Sequence, residues 1–326
     1  MIDKSLIKKF IPFEKTLYHW YMHFKGRQKK VCLGEENQDK VFYVIGQDDL
    51  GGGLFWIINK VLMHIAYAID HHYIPVVDFL NHKTQYTNER QLGDINFWEL
   101  FFTQPAGYSL DDISHSQHVI INKQSPAPQK KYLMGQEAFY DNADRISYFR
   151  SLFHQYIHFN GKTKDLLNSS YASYLEGKGK VVGVLCRGTD YVLLKPKGHP
   201  IQPTPEQVIR DVRTIMANHH CSHVFLATED EDIFLLFIQA FGDKLLYLDQ
   251  RRYRKADMDG RHVLSEEKFK DKSRNPYQDA VQYLTAIYLL SRCNCFLGGR
   301  TGGTKGVLLM SKGFEFEKTY NLGLYK

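Results

Sequence analysis

The stretch that decides the fold is "VVGVLCRGTDYVLLKPKGHPIQPTPEQVI", Val181–Ile209. Its first six residues are apolar, β-branched and too short for a helix, so they read as a buried strand. Arg187, Gly188, Thr189 and Asp190 follow at once, then a loop rich in Lys, Gly and Pro, then a helix start. Thr204 is placed to cap that helix, with Pro205 at its first position and Gln207 completing a capping box. Val208, Ile209, Val212, Ile215 and Met216 then make a single apolar stripe.

The same alternation continues downstream. "HVFLATED" (223–230), "KLLYLD" (244–249) and "NCFLGG" (294–299) read as strands. "DIFLLFIQAFG" (232–242) reads as a helix stopped by Gly242. "NPYQDAVQYLTAIYLLSRC" (275–293) is a helix capped by Asn275 and begun by Pro276, and "TGGTKGVLLMSKG" (301–313) opens another. Strands that are apolar on both faces and alternate with helices predict a parallel sheet covered on two sides. Ligands of such sheets bind beyond the carboxyl ends of the strands. Three polar clusters fall there: Arg187 with Asp190, Thr228 with Glu229 and Asp230, and the glycine-rich "GGRTGGTKG" of residues 298–306.

The N-terminal half repeats the theme less regularly. "KVFYVIG" (40–46) reads as a strand, "DDLGGGLFW" (48–56) as a glycine-rich turn, and "IINKVLMHIAYAID" (57–70) as an apolar helix. "IPVVDF" (74–79) and "HVIIN" (118–122) are further strands, residues 143–176 look helical, and "EGKGK" (176–180) is the linker. The expected organisation is a basic, aromatic segment at 1–30, a Rossmann-like domain at 31–178 and a second one at 179–326. The first 30 residues carry Lys and Arg among Phe, Tyr and Trp. They read either as a segment lying on an anionic membrane or as a basic helix docked on the fold.

The chain has 326 residues, 43% hydrophobic and 24% charged, with a formal charge of +6 and a pI near 8.8. This excess is too small to imply nucleic acid and suits a phosphate-bearing ligand. No run of about 18 apolar residues predicts a membrane span, and the N-terminus lacks the apolar core of a signal peptide. The five cysteines form no CxxC pair; Cys293 and Cys295, in an apolar strand, read as buried thiols rather than a metal site, and a reducing cytoplasm fits, beside the inner face of the membrane if residues 1–30 engage it.

Chemistry is expected at the three clusters. Arginine offers a fixed fork of donors suited to phosphate oxygens, and Asp190 is placed to hold that fork or to take a ligand hydroxyl. The blander reading of Arg187 is a structural ion pair. Thr228 with Glu229 caps the next helix or takes sugar hydroxyls. The glycines of 298–306 leave amides uncovered where a helix begins, an anion site through amides and dipole. No cluster has the ligand spacing of a metal site, and "ATED" lacks a D-x-D spacing.

The set "GVLCRGTDY", "VFLATEDED" and "CFLGGRTGGTKGVLLM", in this order and spacing, resembles the three C-terminal motifs of the inverting fucosyltransferase superfamily. That superfamily embraces α1,2-, α1,6- and protein O-fucosyltransferases. "GGGLFWIINKVLMHIAYA" similarly resembles the family's glycine-rich first turn and helix, and the "GHPIQPTPE" loop resembles bacterial members of surface-polysaccharide synthesis. The resemblance covers roughly residues 40 to 316. It implies a GT-B fold of two Rossmann-like domains facing across a cleft, a GDP-fucose donor, and no metal or other cofactor. Carried onto this chain, Arg187 matches the arginine that binds the donor's β-phosphate and Asp190 that motif's acid. Glu229 and Asp230 match paired acids, and Thr301 with its neighbours Arg300, Gly302, Gly303 and Thr304 matches the turn whose amides meet the diphosphate.

Gly52 and Gly53 fall in the family's first turn, and Asp279 is the nearest candidate for a helix acid. The chain departs from the family at Leu185, where many members have histidine, and at Trp56, near the family's usual asparagine. Lys305 adds charge near the diphosphate. His199, Asp48, Asp49 and Asp190 are the candidates for a general base. The expected partners are a nucleotide sugar and a glycan or lipid-linked oligosaccharide acceptor. The alternatives are a transferase of this fold using another nucleotide sugar, or a non-catalytic nucleotide- or glycan-binding protein.

Overall fold

The computed structural model describes residues 28–46, 52–87, 92–122, 130–257 and 274–326. They form two sheets flanked by helices. In the first sheet β1 (Lys29–Val31), β2 (Phe42–Ile45), β3 (Ile74–Val77) and β4 (Val119–Asn122) lie in the order β1-β4-β2-β3. β2 is parallel to both neighbours, and β1 runs antiparallel to β4 on the edge. Strand β1 was not anticipated, and the boundary drawn at residue 30 cuts through it.

The second sheet is parallel throughout. It comprises β5 (Val181–Leu185), β6 (His223–Ala227), β7 (Leu245–Tyr247), β8 (Cys295–Gly299) and β9 (Phe316–Tyr320), in the order β7-β6-β5-β8-β9. From β5 the chain steps outward through β6 to β7, then crosses to the other side of β5 for β8 and β9. The strand order therefore reverses between β5 and β8. β9 is a further strand that the sequence pattern did not reveal.

Alternation along the strands splits the cores. Val182, Val184, Val224, Leu226 and Leu297 point to one face, against Val208, Val212 and Ile215 of one helix and Ile233 and Phe237 of another. Val181, Leu185, Phe225 and Phe296 point the other way, into a core that continues through to Tyr43 and Ile45 of the first sheet. Three helices fill this shared interior: α1 (Leu54–Asp70), the later Pro276–Leu290 helix and the Gly302–Met310 helix. The last two belong in sequence to the second half, yet they pack on the first. At Gly306 an added Cβ would stand 2.2 Å from the Phe55 ring, so only glycine lets the Gly302–Met310 helix lie this close to α1.

The helix N-caps fall where the sequence signals place them, although the reciprocal Gln207 half of the expected capping box does not form. Thr204 accepts from the Gln207 amide and Asn275 from the Gln278 amide, each with Pro in the first turn. The helical run of 143–176 is two helices, Ala143–Tyr156 and Gly161–Tyr174, because Asn160 caps the second through the Thr163 amide. Residues 175–180 then turn into β5. The fold is thus the expected α/β architecture, two mostly parallel sheets with a cleft between their halves. Cys186, Cys221, Cys293 and Cys295 are buried free thiols.

Candidate functional site

A cleft of about 730 Å³ opens where the strand order of the second sheet reverses. Such a switch point leaves a crevice between loops that diverge to opposite faces. Gly52, Gly53, Trp56 and Lys60 of the first half line one side; Arg187, Asp190, Thr228 and Glu229 line the other. Gly302 and Lys305 also line it.

The exits of β5 and β6 are one network. Arg187 Nη2 donates to Asp190 Oδ1 at 2.9 Å, its Nε stands 3.5 Å from Glu229 Oε1 without a hydrogen bond, and the guanidinium lies 4.5 Å from the Tyr191 ring centre. Burial opposes its charge, but the Glu229 and Asp190 carboxylates outweigh this and hold its pKa above the ordinary value. Thr189 sits in the left-handed region, at φ +42°. Its amide donates to Asp230 Oδ2 at 2.9 Å, and its hydroxyl lies 2.9 Å from Glu229 Oε1. Gly188 is needed because a Cβ there would fall 2.0 Å from Asp230 Oδ2. Asp230, fully buried, caps the Glu231–Phe241 helix through the Ile233 amide and lies 3.4 Å from Lys255 Nζ. Thr228 and Glu229 face the cleft, while Asp230 stands behind them as a clamp.

At the exit of β8, Thr301 caps the Gly302–Met310 helix by accepting from the Thr304 amide at 3.2 Å, and the Thr304 hydroxyl donates to the Gly299 carbonyl. Of residues 300–304 only Gly302 lines the cleft. Gly303 packs against Tyr283, whose Oη would lie 2.7 Å from an added Cβ. Arg300 pairs through both terminal nitrogens with Asp141, over the Tyr140 ring, and the Tyr140 hydroxyl donates to the Thr301 carbonyl at 2.5 Å. Arg300 thus ties the halves together and does not line the cleft.

At the first turn Gly52 carries no side chain because the Trp56 indole would lie 2.5 Å from its Cβ; Lys60 Nζ covers the Trp56 ring at 3.7 Å. Gln85 donates to the Gly52 carbonyl at 3.0 Å and, through its own carbonyl, accepts from Arg274, which also pairs with Asp279. Asp279 therefore lines the cleft while holding this turn in place. His199 lines the cleft with its ring edge-on to Tyr191, its loop held by the Tyr325 amide on the His199 carbonyl. Asp48 and Asp49, and residues 1–27 of the basic segment, lie outside the described residues.

Several lining residues escaped the sequence reading. Gln282, Tyr283 and Ala286 share one helical face with the anticipated Asp279, at spacings of 3, 4 and 7 from it, a signal that was available. Gln85, Tyr86, Arg251 and Tyr253 come from irregular segments and carry no periodic signal. Among the described residues no three His, Cys, Asp or Glu side chains gather into a metal-binding group, and no helix is long and apolar enough to cross a membrane.

No family model and no curated protein matches the chain. Among solved structures it is similar to NodZ alpha-1,6-fucosyltransferase soaked with GDP-fucose, at 13% identity over 83% of this chain and 93% of that one, with a TM-score of 0.47. Fucosyltransferase NodZ from Bradyrhizobium aligns at 13% identity over 83% of this chain and 94% of that one, TM-score 0.46. POFUT1 in its apo form aligns at 10% identity over 87% of this chain and 99% of that one, TM-score 0.48.

Proposed function

We propose that this chain is an inverting glycosyltransferase that moves fucose from GDP-fucose to a glycan acceptor in bacterial surface-polysaccharide synthesis. One observation carries the reading. At the switch point of the second sheet, an arginine held by two carboxylates and the glycine-rich start of a helix line the same cleft. The ordered motif set supports the choice of sugar and nucleotide.

In this reaction an acceptor oxygen attacks the anomeric carbon as the bond to the β-phosphate oxygen breaks. The leaving diphosphate gains negative charge, so the site supplies fixed donors aimed at it. Arg187 is such a donor, and Asp190 and Glu229 hold it in place. Gly302 presents backbone where the helix dipole is positive. The acceptor proton goes to a base among His199, Asp190 and Asp49. Asp190 is engaged by Arg187 and Thr189, which suits it to positioning that arginine.

A thermal-shift panel tests the reading with GDP-fucose, GDP-mannose, GDP, UDP and UDP-sugars. A ligand at about 100 times its dissociation constant stabilises the fold by about 2.7 kcal/mol. GDP and GDP-fucose are expected to raise the melting temperature, and the uridine compounds to leave it unchanged. A panel in which no guanine nucleotide shifts the curve, or only uridine compounds do, overturns the assignment.

A further inference from the structure

Tyr283 stands on the Pro276–Leu290 helix, half-buried, and lines the cleft. Its ring meets Phe55 of α1 edge to face with centroids 5.4 Å apart, which fixes where the hydroxyl lies. That hydroxyl rests against Gly303: an added Cβ there would stand 2.7 Å from Tyr283 Oη and 3.2 Å from Leu185 Cδ2. Leu185 ends β5 just before Arg187 and pairs in register with Gly298 of β8, just before the glycine-rich turn. The phenol thus sits where the arginine loop and the Gly302–Met310 helix leave adjacent strands. Burial raises its pKa above the ordinary value, and the strongest opposing influence is the charge of Arg187. It is therefore protonated at neutral pH and able to donate. Nearby tyrosine hydroxyls are committed: Tyr86 accepts from the Leu54 amide at 3.1 Å, and Tyr140 donates to the Thr301 carbonyl at 2.5 Å. The Tyr283 hydroxyl makes no hydrogen bond to any described residue, so its proton is available to a ligand in the cleft.

We propose that the Tyr283 hydroxyl is a further donor to the β-phosphate of a bound nucleoside diphosphate, beside Arg187 and the Gly302 end of its helix. The inference rests on the glycosyltransferase reading for the identity of the nucleotide. In that reaction the bond from the anomeric carbon to the β-phosphate oxygen breaks, and its electron pair stays on that oxygen. The acceptor oxygen makes the new bond to the carbon and gives its proton to the base. Tyr283 keeps its own proton and meets the growing phosphate charge with a hydrogen bond, which is strongest when the acceptor is ionised.

Titration calorimetry of the full chain with GDP and with GMP isolates the β-phosphate, the group by which the two differ. Tyr283→Phe removes the oxygen and keeps the ring on Phe55. The variant is expected to lose about tenfold or more of its GDP affinity, while GMP binding stays within about twofold of wild type. Tyr288→Phe, the same change further along the helix and away from the cleft, is expected to leave both affinities unchanged. Equal losses for GDP and GMP would make Tyr283 a structural residue, and an unchanged GDP affinity would remove it from the site. Either result overturns the proposal and leaves the transferase reading standing. UDP and UMP run beside them separate base from phosphate. If the uridine pair binds in place of the guanine pair with the same dependence on Tyr283, the phosphate contact stands and the GDP-fucose reading falls. A wild-type chain that binds none of the four overturns both.

Discussion

Arg187 and Arg300 look alike in sequence: each follows an apolar strand and precedes glycine or threonine. In the structure they are opposites. Arg300 is gripped by Asp141 through both terminal nitrogens and sits against Tyr140, outside the cleft. Arg187 gives Asp190 one terminal nitrogen, stands 3.5 Å from Glu229 through Nε, and lines the cleft. The partner, not the position, decides whether such a guanidinium serves as a tie or as a site. Asp141 is 159 residues from Arg300 in the chain, and no local pattern announces it.

The sharpest way to break this contrast is to remove Arg187. Arg187→Ala is expected to raise the barrier to sugar transfer by about 2 to 4 kcal/mol, the loss of one preorganised donor, in a protein that stays folded. Arg187→Lys restores only part, because a point charge cannot reproduce a two-pronged contact. Initial rates with GDP-fucose, beside circular dichroism, check both; near-normal turnover in folded Arg187→Ala protein removes the arginine from the site.

Lys305 extends the comparison to a cation with no acid partner among the described residues. Its folded-state pKa of about 8 lies below the ordinary 10.5. Its cost to stability is thus fully present below pH 8 and fades as the pH rises toward 10.5. Lys305→Met is expected to stabilise the fold by on the order of 3 kcal/mol at pH 7, and by nothing once the pH exceeds that range. Urea melts at several pH values read this directly. A destabilised Lys305→Met protein at pH 7 would mean that the ammonium is satisfied where it lies.

Arg300→Ala tests the other side of the contrast. The melting temperature is expected to fall by a few degrees, with kcat for transfer retained. Arg300 holds the Asp141 carboxyl below the usual carboxylate range. That contribution is present above the unfolded carboxyl value and lost as the pH falls through the folded one, so the gap between variant and wild type narrows in acid. A loss of kcat without a loss of stability would return Arg300 to the donor site.

How far the sequence foretold these roles depends on the range of the interaction. Caps act over three residues, so Thr204 and Asn275 start their helices where the signals lie. The period-2 and period-3.6 patterns likewise place β5, β6 and β8 with their helices. Edge strands β1 and β9 were missed because they are partly exposed, with no buried apolar run, and β1 is only three residues long. The three polar clusters do stand at strand ends, but their division of labour was invisible. Asp230 turned inward to clamp Gly188 and Thr189, and Lys305 turned to Met134, a partner 171 residues away. Such choices depend on which helix comes to rest beside the loop.

The smallest expected effect concerns Thr189, which holds Arg187 and Asp190 in register. A β-branched residue at φ +42° is strained, since its Cβ crowds the backbone in the left-handed region. Two sets of bonds offset that strain: the amide on Asp230 and the hydroxyl beside Glu229. Thr189→Ala removes the hydroxyl but keeps the crowded Cβ; Thr189→Gly removes both. Relief of the backbone alone should make the Gly variant more stable than the Ala variant by about 1 kcal/mol. Both lose the bond to Glu229, so both should transfer sugar more slowly than wild type, although the backbone turn persists. Urea midpoints of the pair read the strain, and their rates read the hydroxyl. If Ala proves the more stable of the two, the turn at β5 is held without strain, and the rigidity of Arg187 must come from Asp190 and Glu229 alone.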